Sequence, residues 1–194
     1  APPLAIGGFY RYRRGGESHA YEARLIHQLQ QAVTIDSYSA YRKFAEMVHA
    51  VLDVEMDLHR SYAREWGISA DELEKTRKAP TCQGYTDFLL RTATFGSFPE
   101  LVGALLPCMW GFCEIGLTLA KQGMPADPRY VKWIRMYSAA EFVELTEWIR
   151  DLMDRLAAGM PQEELQRIEE AFLTSSRFEH AFWDMAYRQE QWSV

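Results

Sequence analysis

Apolar residues recur at helical spacing along almost the whole chain, and no alternating run bounded by turn residues suggests a strand. The periodicity predicts a helix over 18–33 and a longer one over 37–67, the second opening behind Asp36 as a candidate cap and stopping at Gly67. Ser69 and Glu72 have the S-x-x-E spacing of a capping box for a short helix. Pro80 ends that connection, and a helix follows to Gly96. Ser97 with Glu100, and Ser138 with Glu141, repeat the box spacing and open helices expected to reach Lys121 and Gly159. The stretch 123–128 reads as a loop, followed by a helix to Tyr137. Pro161 starts the last helix, which runs to Gln189. The fold class is therefore all-α, with short loops that favour antiparallel neighbours. Residues 1–16, with Pro2, Pro3 and glycines at 7, 8, 15 and 16, read as an irregular N-terminal segment, and 17–194 as one helical domain.

Composition narrows the function classes. The chain has 194 residues, 48% hydrophobic and 25% charged, ordinary proportions for a folded domain with a sizeable core. A net charge of −6 argues against a general nucleic-acid or anionic-membrane binder, and no segment is expected to span a bilayer. The apolar run 4–10 precedes the basic cluster Arg11, Arg13 and Arg14, the reverse of a signal peptide. Three cysteines (Cys82, Cys108 and Cys113) with no CxxC pair suggest thiols in a reducing compartment rather than a disulfide framework or a zinc site. A cytoplasmic location is the expectation. The aromatic content of 13% suits either a pocket for a flat ligand or a core built from large residues.

Cys108 follows a proline inside a helical pattern. Pro107 cannot donate to the carbonyl of Gly103 and its ring crowds that turn, so Cys108 is expected at a distorted turn that could aim its side chain into a cavity. By residue type alone, a helical Cys beside Met109 and Trp110 is more often core than nucleophile. Cys113 lies on another face of the same helix and reads as packing. Glu179 has Phe172, Ser175, Ser176, Phe182 and Trp183 within two turns; such a carboxylate is either paired structurally or kept for proton transfer. Tyr85 and Tyr137 read by themselves as core tyrosines with one satisfied hydroxyl. Glu114 faces Trp110 one turn earlier and reads as a structural hydrogen-bonding or ion-pair residue.

Residues 104–116 read A-L-L-P-C-M-W-G-F-C-E-I-G, which resembles the signature A-L-L-P-C-x-W-x-Y-x-E-[IV]-G of the TenA/thiaminase II family. Three further segments agree in order. Glu55, Met56, Leu58 and His59 resemble the family's E-M-x-L-H. Residues 130–137 (Y-V-K-W-I-R-M-Y) resemble Y-x-K-W-I-x-x-Y, and 172–193 resemble its terminal F-x-x-S-S-x-x-E-x-x-F-W-x-M-A-Y-R-x-E-x-W-S. The likeness covers 21–193, most strongly from Glu55 onward.

The resemblance implies a heme-oxygenase-like helical bundle and a hydrolase that cleaves the C–N bond at the exocyclic methylene of thiamin or an aminopyrimidine. It implies Cys108 as nucleophile and Glu179 as acid/base and pyrimidine ligand, with Tyr85, Phe112 and Tyr137 lining the substrate pocket. No metal or organic cofactor is implied. The partner is the small molecule alone, and the assembly a homotetramer. Two departures stand out. Phe112 replaces the family's usual Tyr, keeping a stacking surface without a hydroxyl. The family's Q-D segment has no clear counterpart; its aspartate would fall near Gly15, and Glu17 is the nearest carboxylate.

Two other readings compete. Glu46 and His49 form an Glu-x-x-His motif, with Glu55 and His59 nearby, but a di-iron bundle needs two such motifs and two more carboxylates. A non-catalytic relative that binds a pyrimidine or a partner protein would fit Phe112 and the altered N-terminus, and is opposed by Cys108 and Glu179.

Overall fold

Helices account for all the regular structure among the described residues, which in this computed structural model are 35–193. The irregular segment 1–16, the helix expected over 18–33 and Glu17 lie outside them. The order is α1 (Ile35–His49), a π-helical segment (Ala50–Glu55), α2 (Met56–Glu65), α3 (Ala70–Lys75), α4 (Pro80–Phe95), α5 (Phe98–Gln122), α6 (Pro128–Tyr137), α7 (Ala140–Ala157) and α8 (Gln162–Arg188). Two compact units form, one from 35–98 with 180–193, the other from 99–179.

In the first unit, one long helix was expected over 37–67. Instead a π-helical segment separates α1 from α2, and α1 is already under way at Asp36, which is therefore not its cap. Gly67 stops α2 as expected. It takes φ 74°, Ile68 N–H reaches Ala63 C=O, and Gly67 N–H reaches Arg64 C=O. That is the Schellman pattern, and Ile68 packs on the cluster of Met56, Ala63 and Leu73 that accompanies it. Ser69 and Glu72 form both arms of the expected capping box, and the two hydrogen bonds from Ser69 hold the Glu72 carboxyl below its ordinary value.

Helix α4 begins at Pro80, as expected, but its cap residue Ala79 has no side chain to offer the first-turn amides. The chain's far end supplies the partner. Glu190 accepts the N–H of Thr81 at 2.9 Å, and Trp192 donates its indole N–H to the carbonyl of Lys78 at 2.8 Å. Cys82 and Ala79 pack with Phe182 and Met185 beneath this junction.

The second unit is organised on α5. Its buried positions, from Leu101 to Gly116, lie on more than one face, and the helix runs unbroken through Pro107. Contrary to the expectation above, α5 is long and apolar enough to cross a membrane by length and composition alone; half of its apolar stretch is buried within the protein. Glu100 at its head is ion-paired with Arg167 of α8, 3.1 Å away. The box expected from Ser138 and Glu141 does not form. Ser138 ends α6 and donates its hydroxyl to Ile134 C=O, while the cap of α7 is Ala139, without a side-chain bond. Helix α6 is capped by Asp127, which accepts the N–H and the guanidinium of Arg129. The Arg129 side chain first, then its backbone N–H, hold the Asp127 carboxyl down at about 2.

Two outcomes are expected. A Cβ at Gly116 would stand 2.7 Å from the backbone carbon of Tyr137, so Gly116→Ala forces backbone apart and should cost roughly 1–3 kcal/mol. Denaturant unfolding measures it, and an unchanged midpoint would contradict the close approach. The Asp127 carboxyl is lowered in the folded state, so its contribution is present above the ordinary value and lost as pH falls toward the folded one. The difference in unfolding midpoint between wild type and Asp127→Asn should shrink from about pH 4 to about pH 2, and a constant difference would argue against the ionised cap.

Candidate active site

Four of the expected site residues lie in the second unit: Cys108 and Phe112 on α5, Tyr137 at the end of α6, and Glu179 on α8. Tyr85 is buried on α4, in the first unit.

The three thiols differ in exposure. Cys82 is 0% exposed and Cys113 4%, whereas Cys108 is half-buried, and no disulfide joins any of them. Reactive cysteines are partly accessible and buried ones inert, so exposure singles out Cys108. Glu179 is likewise half-buried.

Helices α5 and α8 run in the same direction where they meet within this unit. Their contacts include Trp110 with Phe172, Glu100 with Arg167, Gly103 with Ile168, and Ala104 with Ser175. The last is a hydrogen bond of 2.6 Å from the Ser175 hydroxyl to the Ala104 carbonyl. Cys108 is four residues beyond Ala104 and Glu179 four beyond Ser175. Each therefore lies one turn past that bond, on the face its helix presents there.

An aromatic cluster adjoins Cys108 one turn further along α5. The Phe112 ring lies 4.9 Å from Tyr137 and 5.9 Å from Trp133, centroid to centroid, and Trp133 lies 4.6 Å from Tyr137. Phe142 meets Tyr137 edge-on at 5.2 Å. Phe112 and Tyr137 are both buried, and Trp133 is the part-exposed member of the cluster. Trp133 was not singled out from the sequence, although its place one turn before Tyr137 puts it on the same face. Gly116, one turn after Phe112, lets the Tyr137 backbone close on α5 and so sets this cluster.

Trp110, on a different face, is held structurally. Its indole N–H donates to Glu114 at 3.0 Å, as expected of Glu114, and the Arg150 guanidinium lies 4.3 Å over its ring. Of the residues considered for a metal, Glu46 pairs with Lys43, His49 pairs with Asp53, and His59 is buried beside Tyr62. Among the described residues, no three His, Cys, Asp or Glu side chains converge as a ligand set.

Comparison with known proteins bears on this arrangement. The model of the TENA/THI-4/PQQC family matches residues 30–189. The aminopyrimidine aminohydrolase of Halalkalibacterium halodurans is 44% identical over 153 residues, which cover 77% of this chain and 67% of that protein. The aminopyrimidine aminohydrolase of Bacillus subtilis is 36% identical over 158 residues, covering 81% of this chain and 66% of that protein. The chain thus spans about two thirds of the length of these relatives. A TenA homologue from Pyrococcus furiosus superposes with a TM-score of 0.81 at 25% identity, over 95% of this chain and 82% of that one. The match in sequence over most of the chain and in helical architecture agree: the chain belongs to the TENA/THI-4/PQQC family and has the all-α, heme-oxygenase-like fold of the TenA homologues.

Proposed function

We propose that this chain is an aminopyrimidine aminohydrolase of the thiaminase II type, with Cys108 as nucleophile and Glu179 as acid/base. The observation that carries the reading is exposure: of the three thiols only Cys108 is part-exposed, one turn past the residue of α5 that Ser175 of α8 bonds. The naming of the 44%-identical relative as an aminopyrimidine aminohydrolase supports the substrate class.

The chemistry follows from the two groups. Glu179 protonates a ring nitrogen of the aminopyrimidine, leaving the ring electron-poor. The Cys108 thiolate adds to the ring carbon beside that nitrogen, forming a C–S bond. With aromaticity lost, the C–N bond at the exocyclic methylene breaks, and the amine leaves as ammonia, or as thiazole when thiamin is the substrate. Water adds to the methylene carbon and gives up its proton. The thiolate is then expelled, the ring nitrogen returns its proton to the Glu179 carboxylate, and the ring becomes aromatic again, giving hydroxymethylpyrimidine. A thiolate serves both as attacking and as leaving group, and the route needs no metal or organic cofactor. The family resemblance is what supports Phe112, Tyr137 and Tyr85 as pyrimidine-binding residues and Glu17 as the anchoring carboxylate. A cytoplasmic homotetramer acting in thiamin salvage is part of the same proposal.

Incubation with 4-amino-5-aminomethyl-2-methylpyrimidine should release ammonia. Cys108→Ser should abolish turnover, and Glu179→Gln should lower kcat by about 10²-fold or more with the helical signal intact. Binding without turnover by folded wild-type protein would leave a non-catalytic pyrimidine binder as the better account. Iodoacetamide should modify Cys108 well before Cys82 or Cys113, read by peptide mass; equal labelling of all three would count against the assignment.

A further inference from the structure

The buried serine and threonine hydroxyls among the described residues make two kinds of hydrogen bond. Thr86, Thr92 and Thr146 each bond a carbonyl three or four residues back in their own helix. Ser175 reaches across to another helix, donating to the Ala104 carbonyl at 2.6 Å from a fully buried position. Its neighbour Ser176 turns back to Phe172 C=O.

The carbonyl that Ser175 bonds is significant. In α-helical geometry the Ala104 oxygen faces the N–H of Cys108. The preceding carbonyl, of Gly103, faces Pro107, which has no N–H to give. The turn that leads into Cys108 therefore lacks one ladder bond and gains one donor from α8 at the adjacent carbonyl. Beside it, Gly103 leaves room for Ile168, whose carbonyl oxygen lies 3.2 Å from the place a Cβ would take.

We propose that Ser175 is a positioning residue for Cys108. Its hydroxyl ties the Pro107 turn to α8 and fixes the height and direction of the thiol relative to Glu179, one turn beyond Ser175 on the same helix. Apolar contact alone leaves two helices room to slide by fractions of an ångström, whereas a short hydrogen bond is directional, and a reacting pair is sensitive to such displacements. The inference rests on the reading of Cys108 as nucleophile.

The test compares Ser175→Ala, which removes the bond at almost constant volume, with Ile168→Val, which loosens the same helix pair and leaves the bond. Two readouts are taken on each 194-residue chain: kcat and KM for 4-amino-5-aminomethyl-2-methylpyrimidine, and the pH profile of Cys108 alkylation by iodoacetamide. Ser175→Ala should keep its helical signal, lose about tenfold or more in kcat with KM within about twofold, and show a displaced alkylation profile. Ile168→Val should stay near wild type in both. Wild-type kcat and profile in Ser175→Ala would overturn the proposal. So would the same changes in Ile168→Val, or outright loss of helical signal in Ser175→Ala, either of which makes the contact structural only. If the wild type does not turn over this substrate, the functional reading falls, and the alkylation profile alone still decides for or against Ser175.

Discussion

At two glycines of α5 a neighbour comes close, at one nearer than a side chain would permit and at the other near enough to crowd one. The Tyr137 backbone closes on Gly116, and Ile168 on Gly103. Bare backbone at these positions sets how near α6 and α8 sit, and the dense packing of a protein interior turns that spacing into a fixed register. The ring cluster of Phe112, Trp133 and Tyr137 lies at the first approach, and the hydrogen bond between Ser175 and Ala104 lies beside the second. A helix buried on more than one face has little freedom to turn and re-expose what it carries. Cys108 is the exception on its face, half-exposed between the buried Ala104 and Phe112, so its thiol is held by close-packed surroundings and is still partly open.

The buried threonines bond a carbonyl of their own helix, while Ser175 donates to a carbonyl of a second helix. Helix ends are satisfied locally where a suitable side chain exists, as at Ser69 and Asp127. Where Ala79 leaves the α4 amides without one, Glu190 serves instead.

How much of this could be read beforehand depended on the range of the interaction. Gly67, the Ser69–Glu72 box and Pro80 act within a turn of themselves, and each behaves as its spacing implied. The Ser138–Glu141 spacing was as good, yet Ser138 Oγ found a nearer acceptor in Ile134, a competition that spacing does not reveal. The π-helical segment interrupts a hydrophobic period that looked continuous, because adding a residue to a turn alters hydrogen bonding without altering composition. For α5, its length and apolarity match a membrane span; only the packing around it shows a buried helix. At the candidate site, the motif carried Cys108 and Glu179, but Trp133 and Ser175 owe their place to contacts made across helices. Nothing in the residues near Ala79 pointed to Glu190.

The clasp between Glu190, Trp192 and the head of α4 joins positions 109 and 114 residues apart. The first unit is therefore discontinuous along the chain, and the second is threaded whole between its two parts. A ribosome delivers the second unit complete before the last piece of the first has been made. The amide of Thr81 and the carbonyl of Lys78 must remain hydrated until the final residues emerge. Contacts of such long sequence separation are slow to form because the intervening chain has first to be closed into a loop. The helix bearing Tyr85 thus receives its end cap last, and synthesis of the C-terminal segment sets when the first unit is finished.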